Sequence, residues 1–267
     1  MNEILLAVIP VVVLGILCAT VLVIASKLMA VKEDERFPVV RDCLPGANCG
    51  ACGFAGCDGY AKALCDNPET PINLCIPGAK GVADKLSEVL GVAPAEVIKK
   101  VAVVHCAGDC SKTEDKIIYQ GIPSCSAAKI LYGGKGSCVF GCLGLGDCVK
   151  SCPQHAISLV NGVAKVDPEA CIGCGICNHA CPNHLISLEE DIKRVIVTCS
   201  NKDKGALTRK VCTNGCIGCK KCEKVCPTGA IKVIGNIAVV DYRQCPDCPS
   251  YAVCSESCTT HCLITSE

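Results

Sequence analysis

Apolar and polar positions fall into three patterns along the chain. From Ile4 to Ala25 the residues are apolar apart from Pro10, Cys18 and Thr20. As a helix, about 22 residues rise roughly 33 Å, enough to cross a bilayer. Asn2 and Glu3 precede this run and Lys27, Lys32 and Arg36 follow it. A signal peptide needs the opposite, a basic start and a shorter core. The charge bias predicts an N-terminus outside the cell membrane and all cysteine-rich segments on the cytoplasmic side of a single-pass anchor. Helical spacing follows: Val82, Leu86, Val89 and Leu90 predict an amphipathic helix over Ala79–Leu90, and Ala95–Val104 is expected to form another. Both read as packing elements. A short helix is expected over Tyr60–Leu64. Two alternating stretches surround Asn161-Gly162 and Gly235-Asn236, which predicts two β-hairpins.

Composition changes this picture. The 267 residues include 29 cysteines, no Trp, three Phe and five Tyr. So few aromatics build little core, and small modules then need metal ligation for stability. Disulfides fit poorly, because the spacings are metal-like and no secretory cleavage signal is present. Lys plus Arg and Asp plus Glu are 26 each, and ligated thiolates add negative charge. With no basic stripe and almost no stacking platform, a nucleic-acid partner is disfavoured.

Cys171, Cys174, Cys177 and Cys181, followed by Pro182, form the C-x2-C-x2-C-x3-C-P run of iron–sulfur proteins. The first three wrap one cluster and the fourth reaches a second. Cys171, Cys174 and Cys177 are therefore expected to share a cluster with Cys152, and Cys181 to join Cys138, Cys142 and Cys148. This resembles a bacterial two-cluster ferredoxin. Structural zinc sites pair two C-x2-C units across a longer loop, a different pattern.

This block repeats. Cys138, Cys142, Cys148, Cys152 and Cys171 align without gaps onto Cys212, Cys216, Cys222, Cys226 and Cys245, with Leu145 in place of Cys219. Cys138 is expected to substitute for the missing ligand, leaving Cys212 redundant. The second module is expected to hold one cluster on Cys216, Cys219, Cys222 and Cys258 and another on Cys226, Cys245, Cys248 and Cys254. Thr259 stands where proline is expected, and Cys262 is an alternative to Cys258.

Upstream, Cys49, Cys52, Cys57 and Cys75 form a C-x2-C-x4-C set among Gly50, Gly53 and Gly56, and a four-iron cluster is favoured over zinc there. Cys43 and Cys65 read as unligated thiols and Cys18 as a packing residue. Cys106, Cys110, Cys125, Cys199 and Cys212 are either structural or candidates for a further cluster. The histidines (His105, His155, His179, His184 and His261) form no catalytic arrangement and read as structural or solvated. Neither GCLGLG at Gly141–Gly146 nor GGKGS at Gly133–Ser137 fits a nucleotide-binding loop, so no NAD or flavin site is expected.

The N-terminal span, a charged linker, LPGANCGACGFAGC with its returning Cys75, and two tandem modules together resemble the B-subunit family of Rnf electron-transport complexes over nearly the whole chain. VHCAGDC, GIPSC and CSNKDKG are similar to its cysteine-rich anaerobe form. The resemblance implies ferredoxin:NAD+ oxidoreduction coupled to Na+ or H+ transport. It further implies intake of electrons from soluble ferredoxin by this chain, with flavin and NAD sites on other subunits. A redox-signalling subunit that reduces an iron–sulfur transcription factor, and a structural zinc scaffold, are the rivals. The expected chain is α+β with five [4Fe–4S] clusters and room for a sixth. Its parts are an anchor (1–27), a linker (28–42), a four-cysteine domain (43–80), a helical connector (81–137), module 1 (138–190), a connector (191–211) and module 2 (212–262). Electrons are expected to enter at module 2 and leave from the Cys49–Cys75 domain, which lies nearest the anchor.

Overall fold

The computed structural model describes residues 2–28, 34–94, 98–131, 133–192, 194–245, 248–250 and 253–265. The apolar N-terminal run forms α1 (Asn2–Leu28), a helix of 27 residues. The side chains described on it are Ile9 and those of residues 12–26, nearly all exposed. Among the described residues no helix is long and apolar enough to cross a membrane.

The expected linker is partly structured. Residues 29–33 lie outside the described residues, but α2 (Phe37–Cys43) begins with Pro38 in its first turn. Proline is favoured there, where its fixed φ suits a helix start. Pro38 therefore opens a helix within the expected linker. α2 packs with α3 (Gly56–Asp66) and α4 (Ala79–Leu90) around Val40, Tyr60, Leu64 and Leu86, all fully buried. Arg41 pairs with Asp58 across α2 and α3. α4 has the bounds its periodicity predicts and ends at Gly91, whose left-handed φ of 66° gives a glycine cap.

The second expected helix is not one. Residues 95–97 lie outside the described residues, and Lys100–Val104 forms strand β1. The run KVAVV is β-branched, and its partner is distant in sequence: β1 pairs antiparallel with β4 (Ile186–Glu190), Val101 opposite Glu189. Non-local pairing overrides local periodicity here.

Between these strands come α5 (Cys125–Ile130), α6 (Asp147–Ser151), the hairpin β2 (Ile157–Val160) with β3 (Val163–Val166), and α7 (Ile176–Ala180). The second module repeats the plan. β5 (Val195–Val197) pairs with the last strand, β8 (Leu263–Thr265). Within that pair lie α8 (Gly205–Val211), α9 (Lys221–Val225), the hairpin β6 (Ile231–Ile234) with β7 (Ile237–Val240), and α10 (Val253–Glu256). Both hairpin turns are left-handed at their two central residues, with φ of 49° and 80° at Asn161 and Gly162 and of 57° and 70° at Gly235 and Asn236. That twist suits a tight hairpin. Ile157 and Ile231, and likewise Ala164 and Ala238, are buried at matching positions. Isolated two-stranded ladders are marginal in water; here the ladders pack into buried clusters around Ile157 and Ile186 in one module and Val195 and Ile231 in the other.

Candidate metal centres

In the N-terminal domain Gly50, Gly53 and Gly56 all take positive φ, of 70°, 86° and 81°. These turns fold the 49–57 loop back on itself, and Asn48 Oδ1 accepts the Cys57 N–H at 2.8 Å. Burial raises the Cys75 thiol, and the nearby Cys57, Cys52 and Cys49 add to the rise. The predicted four thus lie together. Cys43 bonds the Val39 carbonyl of its own helix, and buried Cys65 faces Asp34 and Arg36.

In the first module Cys152, Cys171, Cys174 and Cys177, the four grouped by the motif, line one cavity. The Cys171 sulfur accepts N–H groups from Ala102 at 3.4 Å and Gly173 at 3.5 Å. Burial pushes Cys177 up to about 11, and the thiols of Cys174, Cys171 and Cys152 add to the shift.

The other set differs from the expectation. Cys142, Cys148 and Cys181 line a cavity with Cys125, not Cys138. Cys148 is pushed up to about 12 by burial and by Cys142, Cys125 and Cys181. Leu145 explains the exchange. It packs against Cys125, Ala128 and Leu143, so the missing thiol arrives from α5, laid across that face. Asp147 fixes α5 there, accepting from Ser124 Oγ at 2.9 Å and from the Ser126 N–H at 3.0 Å. The only sequence signal for Cys125 was an unpartnered thiol beside a ligand set that lacked one.

Cys138 instead joins three cysteines that had no partner. Asn201, 2% exposed, donates through Nδ2 to Cys138 Sγ at 3.6 Å and through its backbone N–H to Cys199 Sγ at 3.4 Å. Gly108 lies against the sulfurs of both Cys212 and Cys106. Burial raises Cys106, to about 12, and also Cys199 and Cys212, and the nearby Cys138 adds to each rise. The fifth candidate, Cys110, is exposed and stays outside the group.

In the second module Cys216, Cys219, Cys222, Cys258 and Cys262 line one cavity. Cys262 Sγ stands 3.6 Å from Cys258 Sγ. Hydrogen bonding among these thiols lowers Cys258 and Cys216 and raises Cys262. Cys254 is pushed up to about 11 by burial, with Cys226 and Cys245 adjacent. Cys248 follows residues 246–247, which lie outside the described residues.

Neighbouring sets touch. The Cys142 N–H donates to Cys106 Sγ at 3.3 Å, and the Cys216 N–H donates to Cys199 Sγ at 3.2 Å. Cys49 lies near enough to Cys174 to add to the rise that burial causes in its thiol. Among the described residues no three His, Cys, Asp or Glu side chains close on a single metal ion; the thiols ring cavities, a donor set that fits iron–sulfur clusters.

The histidines serve the backbone. His155, His184 and His261 each take φ of 51° in the turn after Cys152, Cys181 and Cys258, where Gly229 stands after Cys226. Each N–H returns to that cysteine's carbonyl, as His184 does at 3.0 Å. His105 joins Val197 O and Ser187 Oγ, both at 2.7 Å.

An Fe-S cluster family model matches residues 44–77, and a 4Fe-4S dicluster domain model matches 137–185 and 170–230. The B subunit of the proton-translocating ferredoxin:NAD(+) oxidoreductase complex of Clostridium ljungdahlii is 43% identical over 97% of this chain and 92% of that protein. This chain belongs to that B-subunit family. The B subunit of the Na(+)-translocating complex of Acetobacterium woodii is 40% identical over 94% of this chain and 74% of its own length. The B subunit of the ion-translocating oxidoreductase complex of Methanosarcina acetivorans is 38% identical over 91% of this chain and 92% of its own. Family membership and the dicluster match together make the chain an iron–sulfur electron-transfer component of such a complex.

Proposed function

We propose that this chain takes electrons from reduced ferredoxin and delivers them into a membrane-bound ferredoxin:NAD+ oxidoreductase coupled to Na+ or H+ movement, with α1 as its single-pass anchor and the cysteine-rich domains on the cytoplasmic side. The apolar run from Ile4 to Ala25 within the 27-residue α1 supports the anchor. Partner subunits carry the flavin and NAD sites.

Six [4Fe–4S] sites are assigned: Cys49, Cys52, Cys57 and Cys75; Cys152, Cys171, Cys174 and Cys177; Cys125, Cys142, Cys148 and Cys181; Cys106, Cys138, Cys199 and Cys212; Cys216, Cys219, Cys222 and Cys258; Cys226, Cys245, Cys248 and Cys254. When bound, such clusters accept and release single electrons, at potentials set by burial and by hydrogen bonds to sulfur. The chain's own part is to hold neighbouring thiol sets against one another, exclude water and direct N–H groups at sulfur. The observation that carries the reading is the fourth set. Its Cys106 and Cys199 sulfurs take N–H groups from Cys142 of one module and Cys216 of the other, which joins two modules into one series.

Iron and acid-labile sulfide per chain, with low-temperature EPR after anaerobic reduction, test it. About 24 irons are expected, four per site. About 20 would remove the bridging site, and zinc without sulfide would overturn the electron-transfer reading.

A further inference from the structure

Of the 24 cysteines assigned above, Cys219 is the exposed one; the others are buried or half-buried. Its surroundings are basic, although the chain as a whole is neutral. Between residues 201 and 232 there are eight Lys and Arg against two Asp and Glu. Lys220 and Lys221 follow Cys219 directly, Lys224 lies in the last turn of α9, and all three are exposed. Lys202 and Lys204 lie on the adjoining loop. That loop is held against the Ile217–Gly218 turn, where Gly205 meets the Ile217 carbonyl and Asn236 Nδ2 donates to Lys202 O at 3.1 Å. Of the two local acids, Glu223 is turned away, since its Oε2 accepts the Val233 N–H at 3.0 Å, and Asp203 is half-buried between Lys202 and Lys204. None of the ion pairs among the described residues involves these lysines.

A second observation concerns backbone conformation. Lys220 holds φ of 59° at the start of α9. At the matching place before α6 and α7 the chain uses Gly146 and Gly175, with φ of 81° and 77°. A long side chain in this left-handed region is disfavoured relative to glycine. Fold alone would be served better by glycine, so the charge is what the lysine adds.

The first copy of the repeat shows the same face closed. There Asp147 stands in place of Lys221 and anchors α5, and Lys150, the counterpart of Lys224, is tied to Pro123 O at 2.7 Å. In the second copy Cys219 supplies its own thiol, no covering segment is needed, and the edge is left open.

We infer that this open edge, centred on Cys219 and ringed by Lys220, Lys221, Lys224, Lys202 and Lys204, is the docking surface for a small acidic iron–sulfur electron carrier. The inference rests on the proposed intake of electrons from ferredoxin and adds where and by what chemistry the carrier is recognised. Complementary charge steers such transient partners and raises their association rate, steeply so at low salt. Electron-transfer encounters use small interfaces, which suits a single lysine-ringed edge.

The test uses the full-length, cluster-loaded protein and its K220G/K221Q/K224Q variant, which removes three charges and leaves glycine where φ is positive. Stopped-flow reduction by a reduced two-cluster ferredoxin is followed across ionic strength, with dithionite as a second reductant. The expected result is a second-order rate roughly tenfold lower at low salt, with the gap closing at high salt. Iron content and dithionite reduction should be unchanged. A variant as fast as wild type, or slowed equally at all salt concentrations, overturns the docking surface while the electron-acceptor reading stands. A wild-type protein that dithionite reduces and ferredoxin does not overturns both.

Discussion

Where the first copy of the repeat has Leu145, the second has Cys219. In the first copy, apolar packing on Leu145 recruits α5, and Cys125 rides in with it. In the second, the thiol comes from the loop itself and remains exposed. One side-chain exchange thus closes an edge on one module and opens it on the other. The matching cysteines Cys138 and Cys212, which a ferredoxin-like module does not need, instead lie near each other, with Cys106 and Cys199 close to Cys138. The two copies thus form an asymmetric pair with a closed side, an open side and a joint.

The sharpest way to break this comparison is at the joint. Cys138→Ala and Cys212→Ala are each expected to remove about four irons, and the double variant the same four. Eight lost in the double variant would show that each copy uses its cysteine separately. Iron and sulfide analysis decides this, with Cys110→Ala as a variant expected to lose none.

A smaller effect comes from pH. Thiols must lose their protons to bind, and burial pushes Cys106 and Cys148 up to about 12 and Cys222 up to about 11. Cluster loading therefore strengthens as pH rises, and at limiting iron occupancy should be lower near about pH 6.5 than near about pH 8.5. The cluster-free fold runs the other way. Its neutral buried thiols stabilise it fully below the ordinary thiol range, and that contribution is lost as pH rises through about 11 to 12. Anaerobic loading titrations at the two pH values check the first part; occupancy independent of pH would contradict it.

The smallest effect is on potential. Asn201→Ala removes the Nδ2 donor to Cys138 and keeps the backbone donor to Cys199. Losing a hydrogen bond to thiolate lowers the potential of the bridging site, by no more than about 60 mV, the equivalent of about 1.4 kcal/mol. EPR-monitored redox titration of the variant reads the change, with the other five sites unmoved.

Much of this was legible in the chain. The C-x2-C-x2-C-x3-C-P run, the gap-free repeat, the Asn161-Gly162 turn and the bounds of α4 depend on neighbours within a few residues, and local spacing records them. Cys125 was hidden because its partners lie downstream beyond a loop, and only Leu145 marked the vacancy. Helical spacing over 95–104 misled because β1 answers to β4, a pairing local periodicity cannot register. The basic edge was concealed by whole-chain neutrality, which averages 201–232 against an acidic remainder.

The central claim, that Cys125 stands in for the thiol Leu145 lacks, has a direct test in Cys125→Ala and in Cys125→Ala with Leu145→Cys. Iron, sulfide and EPR of the two purified proteins should show a four-iron site lost or reduced to three irons in the first, and restored in the second by a thiol supplied as Cys219 supplies it. A Cys125→Ala protein that keeps its full iron and its EPR signals would contradict the account and return Cys138 to that site.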